Sequence, residues 1–220
     1  VLEEGQLVIT YNGELFNYLE LKKALEKKGH QFVSASDTEV LLHAFMEWGE
    51  NMYEKLEGMW AFAILNKRNK TLLLSRDRTG VKPLYYRYKE GVFSFASEIK
   101  GLLAFEKESP NNSALAKLLV HNDFNLKNET LFENIFELEA GRQIHFNTQS
   151  FDLNQSSFNN VNVNRDSYSS VGESDLLEKS EHFYSFLKET IVKHSRSDVP
   201  IASCLSGGLD SGTIVGILSE

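Results

Sequence analysis

Cysteine is almost missing from this sequence. Its 220 residues hold one, Cys204, which excludes an intramolecular disulfide and fits a reducing cytoplasm. Long apolar runs are missing too. Met59 to Leu65 spans seven residues, against the roughly 20 that a membrane-spanning helix needs. No stretch has the layout of a secretory leader. Positive charge is short, with 23 Lys and Arg against 31 Asp and Glu and a net charge of −8. A general affinity for nucleic-acid phosphates is therefore not expected. His30, His43, His121, His145, His182 and His194 show no i, i+4 pairing, which argues against a metal on protein ligands.

What is present is ordinary globular material. Hydrophobic residues make up 41% and charged residues 25%, enough to bury a core. The length allows one full domain and part of a second. The sequence begins with Val1 and reaches Glu220 in the middle of an amphipathic pattern, so it reads as a fragment.

Residues 6–11 read as a strand, rich in β-branched and aromatic residues, followed by the turn signal Asn12-Gly13. Asn17 with Glu20, and Ser36 with Glu39, have the spacing of capping boxes. They predict helices ended by Gly29 and Gly49. Met59–Asn66 with Thr71–Ser75, and Pro83–Tyr88 with Val92–Phe95, predict two hairpins. Short helices are expected at 98–104 and 113–120, with Ser97 and Glu98 as no more than a helix start, and a strand at Gln143–Phe146. Trp48 and Trp60 read as core. Arg76, Asp77 and Arg78 read as structural, pinning the Gly80–Pro83 turn. In Phe151–Gly172, ten of 22 residues are Ser or Asn, the composition of a linker. A helix resumes at Ser174 with Leu176, Phe183, Leu187 and Ile191 on one face. Val199–Leu205 predicts a short buried strand, with Cys204 as a buried thiol.

That strand runs into Ser206-Gly207-Gly208-Leu209-Asp210-Ser211 and then a helix. Small residues let the backbone N–H groups converge on an anion, and the helix adds its positive end. Ser206 and Ser211 offer hydroxyls. Asp210 would repel phosphate directly, and a bridging Mg²⁺ explains it. No Lys follows the glycines, which excludes a Walker loop. The six residues resemble the pyrophosphate loop of the ATP pyrophosphatase family, whose members split ATP into AMP and pyrophosphate.

Five earlier segments carry a second resemblance. They are Asn12-Gly13-Glu14-Leu15-Phe16-Asn17-Tyr18, Ser36-Asp37-Thr38-Glu39-Val40, Gly58-Met59-Trp60-Ala61-Phe62-Ala63, Arg76 through Tyr86, and Phe95-Ala96-Ser97-Glu98-Ile99-Lys100. Their order resembles class II glutamine amidotransferase domains, and together with the SGGLDS loop the chain resembles glutamine-hydrolysing asparagine synthetases, over about 1–147 and again 174–220. The resemblance implies an α+β chain. A four-layer αββα domain of the N-terminal-nucleophile hydrolase type would occupy 1–150, a linker 151–173, and the beginning of a doubly wound α/β nucleotide-binding domain 174–220.

It also implies roles. An N-terminal cysteine attacks the glutamine amide, and Asn12 and Gly13 hold the oxyanion. Asn12, Gly13, Glu14 and Asp37 bind the substrate glutamine, Asp37 by facing its α-ammonium. Leu205, Ser206, Gly207, Gly208, Leu209, Asp210 and Ser211 bind ATP, with Asp210 on Mg²⁺. The partners implied are glutamine, aspartate and ATP, with no nucleic acid and no membrane; a homodimer is compatible. The sequence departs from the pattern in lacking a cysteine at its start, and Cys204 is no substitute. Two rival readings stay open: a related enzyme that amidates another carboxylate, and a degenerate amidotransferase-like module without catalysis.

Overall fold

The first strand is longer than its sequence suggests. In the computed structural model, which describes residues 6–122, 126–159 and 173–220, β1 (Leu7–Leu15) passes straight through Asn12-Gly13. The expected turn is not there because pairing overrides it. Every residue of β1 aligns antiparallel with β2 (Gly58–Asn66), from Leu7 against Asn66 to Leu15 against Gly58. A full ladder satisfies the backbone groups that a turn would leave open.

The chain divides into two units, residues 1–160 and 161–220. In the first, α1 (Tyr18–Glu26) and α2 (Asp37–Trp48) follow β1. A 3-10 helix, Gly49–Glu54, leads into β2, which folds back to β3 (Thr71–Arg76) as the expected hairpin. The second expected hairpin is β4 (Tyr85–Lys89) with β5 (Val92–Ala96). Helices α3 (Ile99–Leu103) and α4 (Asn112–His121) fall close to their expected spans. Then come β6 (Phe136–Glu137), β7 (Arg142–Asn147) and β8 (Leu153–Ser157). One sheet has the order β1-β2-β3-β7-β8 and the other β5-β4-β6.

Side-chain alternation builds the layers. Leu7, Leu15, Trp60, Phe62, Ile64 and Leu73 share one core with Leu21 and Leu25 of α1 and Val40 and Leu41 of α2. Ala61, Ala63, Leu74, Ile144 and Phe146, on the opposite face, pack with Leu84, Tyr86 and Leu138. Helix α3 packs on β5 and β4. The result is helix, sheet, sheet, helix, the αββα arrangement expected. Trp60 is buried, and Trp48 packs at the edge of the first core.

Local details differ from expectation in instructive ways. Asn17 does not cap α1. Its side chain is buried, donates to the Lys55 carbonyl at 2.8 Å and accepts from the Glu57 N–H at 3.2 Å, so it ties α1 to the loop before β2. Ser36 does cap α2, accepting from the Thr38 N–H at 3.2 Å. Glu39 leaves that box open and takes the N–H groups of Val33 and Ser34 at 2.9 and 2.7 Å. Residues 153–157 of the expected linker form β8, paired with β7, and Phe158 stacks on Tyr53 with ring centroids 3.9 Å apart. An edge strand pairs through its backbone, so Ser and Asn do not bar it. Residues 160–172 of that stretch lie outside the described residues.

In the second unit, α5 (Glu173–His194) and α6 (Leu209–Leu218) are joined by the Tyr184 hydroxyl donating to Glu220 at 2.7 Å and by a Lys188–Glu220 ion pair. Ile191 and Ile217 are buried, whereas Leu176 and Phe183 of the expected stripe are exposed. The expected strand Val199–Leu205 is not formed: Val199, Ile201 and Leu205 are 69%, 54% and 64% exposed. An isolated strand is not stable, and the described residues of this unit hold no second one. Cys204, expected to be buried there, is exposed. Among the described residues no helix is long and apolar enough to cross a membrane.

Candidate functional site

The ladder between β1 and β2 decides which groups of β1 are free. Trp60, opposite Gly13, turns both its backbone groups to Asp77. Its N–H donates to Asp77 Oδ2 at 3.3 Å, and its carbonyl accepts from the Asp77 N–H at 2.9 Å. The Gly13–Trp60 pair is therefore a non-hydrogen-bonded one, and the Gly13 N–H points away from β2, off the edge of the sheet. The Leu15 N–H, two residues on, points the same way and reaches Asp37 Oδ2 at 3.1 Å. The close approach of such a pair explains the glycine. A Cβ on Gly13 would strike the Met59 carbonyl and lie 2.6 Å from the Tyr11 ring and 2.8 Å from the Trp60 Cα.

Alternation sends the neighbouring side chains to opposite faces. Asn12 and Glu14 face the second sheet. Asn12 is exposed, and its Nδ2 donates to Ser97 Oγ, just past β5, at 3.2 Å. Beneath them lies a pocket of about 150 Å³, lined by Thr10, Asn12, Ala61, Ala63, Leu84 and Phe95 among others. Tyr11 faces the helices, and its hydroxyl donates to Asp37 Oδ2 at 3.3 Å. Burial first, then the Asp37 charge, pushes the Tyr11 hydroxyl far above the ordinary tyrosine range. One carboxylate oxygen of Asp37 is thus held by Tyr11 and Leu15. Among the described residues the other has a long contact, 3.5 Å, from the Thr38 hydroxyl.

The site rests on a buried acid. Asp77 has no exposure and accepts from the N–H groups of Thr79, Val81 and Lys82 at 3.1, 3.0 and 3.0 Å as well as from Trp60. Burial pushes its carboxyl up, but the donors at Lys82, Val81 and Thr79 together outweigh this and hold it below the ordinary range. Arg76 clasps the same turn, donating to the carbonyls of Lys82, Gly80 and Leu138 at 2.8, 2.9 and 2.6 Å. Arg78 donates to the Tyr53 carbonyl at 2.6 Å. The expected structural role of this triplet is what the contacts display: all three bind backbone, and Arg76 also pairs with Glu137 Oε1 at 2.7 Å.

In the second unit, the expected nucleotide loop curls on itself. Ser206 and Ser211 bring their hydroxyl oxygens to 2.9 Å, and Ser211 Oγ donates to the Gly208 carbonyl at 3.2 Å. Gly207 has φ +82°, a conformation that suits glycine. Gly208 is the N-cap of α6, with Leu209, Asp210 and Ser211 in its first turn and exposed or partly so. Among the described residues no three His, Cys, Asp or Glu side chains converge as a metal site. A cation here would have Asp210 alone from this loop's acidic groups.

Asn12, Gly13 and Glu14 thus lie near the C-terminal end of β1, and Asp37 is tied to the same end through the Leu15 N–H. Sequence reading misses two residues beside them. Tyr11 looks like one more strand aromatic and Ser97 like a helix start; only their three-dimensional contacts set them apart.

Residues 1–158 match the family model of the glutamine amidotransferase domain, and residues 182–220 that of asparagine synthase. A protein of Methanocaldococcus jannaschii named putative glutamine-hydrolysing asparagine synthetase 2 is 34% identical over 223 residues, spanning 100% of this chain and 41% of that protein. Glutamine-hydrolysing asparagine synthetase 3 of Bacillus subtilis is 33% identical over 211 residues, 95% of this chain and 33% of the relative. The chain therefore spans well under half the length of these relatives. A solved structure described as the allosteric regulatory enzyme of purine biosynthesis superposes with a TM-score of 0.50 at 24% identity, over 72% of this chain and 30% of that one, which shows a shared fold. With most of its length under one family model and the layers that the fold demands, the chain belongs to the glutamine amidotransferase domain family and carries, after that domain, the start of an asparagine synthase domain.

Proposed function

We propose that the first unit releases ammonia from the side chain of glutamine. The whole protein, a carbon–nitrogen ligase of amino-acid biosynthesis, then joins that ammonia to aspartate with ATP consumed, giving asparagine, glutamate, AMP and pyrophosphate. The observation that carries the first half is the pair of donors at one strand edge, the Asn12 carboxamide and the outward Gly13 N–H. A thiol nucleophile ahead of Val1, as the resemblance requires, attacks the amide carbon. The carbonyl oxygen takes up negative charge between the two donors, and ammonia leaves with a proton. Water then frees glutamate from the thioester. The less-held oxygen of Asp37 faces the substrate ammonium, and Glu14 lines the same end.

The second half rests on the loop from Leu205 to Ser211. Its backbone N–H groups and the start of α6 suit a pyrophosphate. Mg²⁺ arriving with ATP would meet Asp210, and its charge would offset that of the phosphates. Adenylation by ATP gives the aspartate carboxylate a leaving group, AMP, that ammonia displaces. A single cysteine suits a cytoplasmic setting, and a homodimer is compatible with the resemblance.

The test is made on the full-length gene product. Glutamate should form from glutamine, and AMP should form from ATP only when aspartate is supplied. AMP formed with another carboxylate and not with aspartate would transfer the reading to a related ligase. A coding sequence without a Cys codon at the mature start would favour the degenerate module.

A further inference from the structure

We propose that Ser97 is a positioning residue for Asn12: its hydroxyl, brought from the second sheet, holds the Asn12 carboxamide in the orientation that stabilises the oxyanion. The inference rests on the glutaminase reading above and deepens it. Asn12 and Ser97 are 85 residues apart in sequence and meet at 3.2 Å across the gap between the two sheets. Asn12 is exposed, and the terminal torsion of an asparagine is broad and two-fold. An unanchored amide there would spend much of its time turned to water. Oxyanion stabilisation depends on donors already in place before charge develops.

A single bond to Ser97 supplies that order. Nδ2 carries two hydrogens. One goes to Ser97 Oγ, which leaves the second, on the same nitrogen and in a fixed plane, for the substrate oxygen. The pocket below is lined by the apolar Ala61, Phe62, Ala63, Leu84, Phe95 and Ala96 and by the polar Thr10 and Tyr11, and among the described residues the one side-chain hydrogen bond of Asn12 is to Ser97. Nor is the Ser97 hydroxyl spent on capping. The N-cap of α3 is Glu98, and that helix start has no side-chain cap bond.

The test uses the full-length gene product and glutamine hydrolysis, with Ser97→Ala, Ser97→Thr, Asn12→Ala and the Ser97→Ala/Asn12→Ala double variant. Ser97→Ala should lower kcat about tenfold with KM for glutamine little changed, a fraction of what loss of a whole oxyanion donor costs. Ser97→Thr, which keeps the hydroxyl, should restore most of it. On the Asn12→Ala background, Ser97→Ala should cost nothing more, because the residue acts through Asn12. Thermal midpoints of all variants should match within a degree or two of the parent's, which separates the effect from misfolding. A wild-type kcat in Ser97→Ala, or an undiminished loss on the Asn12→Ala background, would overturn the inference while leaving the glutaminase reading intact. Absence of glutamine hydrolysis by the unsubstituted protein would overturn both.

Discussion

At the scale of single residues, the site is a matter of which groups a strand leaves unpaired. Gly13 is confined by the Met59 carbonyl, the Tyr11 ring and the Trp60 Cα. Gly13→Ala is expected to lower stability by about 1–3 kcal/mol through overpacking, read as a fall in the urea midpoint, and to depress glutamine turnover with it. Tyr11 holds one oxygen of Asp37. If Asp37 binds glutamine as proposed, Tyr11→Phe should raise KM for glutamine several-fold and leave kcat nearly unchanged, because the hydroxyl would steady a binding group and touch no reacting atom. The donor groups that Asn12-Gly13 offers are plain from the residue types, but the conformation of the pair was not legible. The dipeptide carries a strong turn signal, and only the nine-residue register with β2 overrides it. Tyr11 and Ser97 were illegible for a plainer reason: their partners lie 26 and 85 residues away.

At the scale of elements, two buried titratable groups fasten loops to the framework. Asp77 gathers the turn after β3 with four backbone N–H groups. Asp77→Asn keeps the shape but loses the charge and an acceptor. It should cost on the order of 3 kcal/mol in urea unfolding. Because the folded carboxyl is held below its ordinary value of 3.8, the folded state binds fewer protons than the unfolded one. The stabilisation is therefore complete above pH 3.8 and is lost as pH falls below it. The wild type should lose more stability on that acid limb than Asp77→Asn. His43 of α2 meets His30 nitrogen to nitrogen at 2.9 Å. Burial first, then His30, lowers its pKa from 6.5. Its contribution is present above pH 6.5 and falls away below, so His43→Gln should show a flatter midpoint between pH 7.5 and 5.5 than the parent. Hairpins and helices were readable from hydrophobic period and turn residues. Two strands, β6 and β8, were missed; β8, an edge strand made of Leu153, Asn154, Gln155, Ser156 and Ser157, declares itself only through its ladder to β7.

At the scale of the whole molecule, the two units differ in how far their apolar residues are covered. The first closes two cores around its sheets. The second leaves Val199, Ile201, Leu205 and Leu209 exposed in or next to a segment without regular structure. Limited proteolysis of this chain should cut within 196–208 before it cuts β1, β2 or β3, and mass spectrometry of the first fragments would check it. The strand expected at 199–205 is not formed because apolar character alone does not supply the neighbour that a strand needs. A last consequence concerns chain length. In the proposed site Asn12 offers its side chain and Gly13 its backbone, so the two donors occupy opposite parities of one strand. One residue inserted or deleted between Leu7 and Asn12 would hand the carboxamide to the helix layer and fold the glycine amide into the ladder. Catalytic geometry and core would be scrambled by the same frame slip, whereas the turn at 67–70 can change length without reaching either.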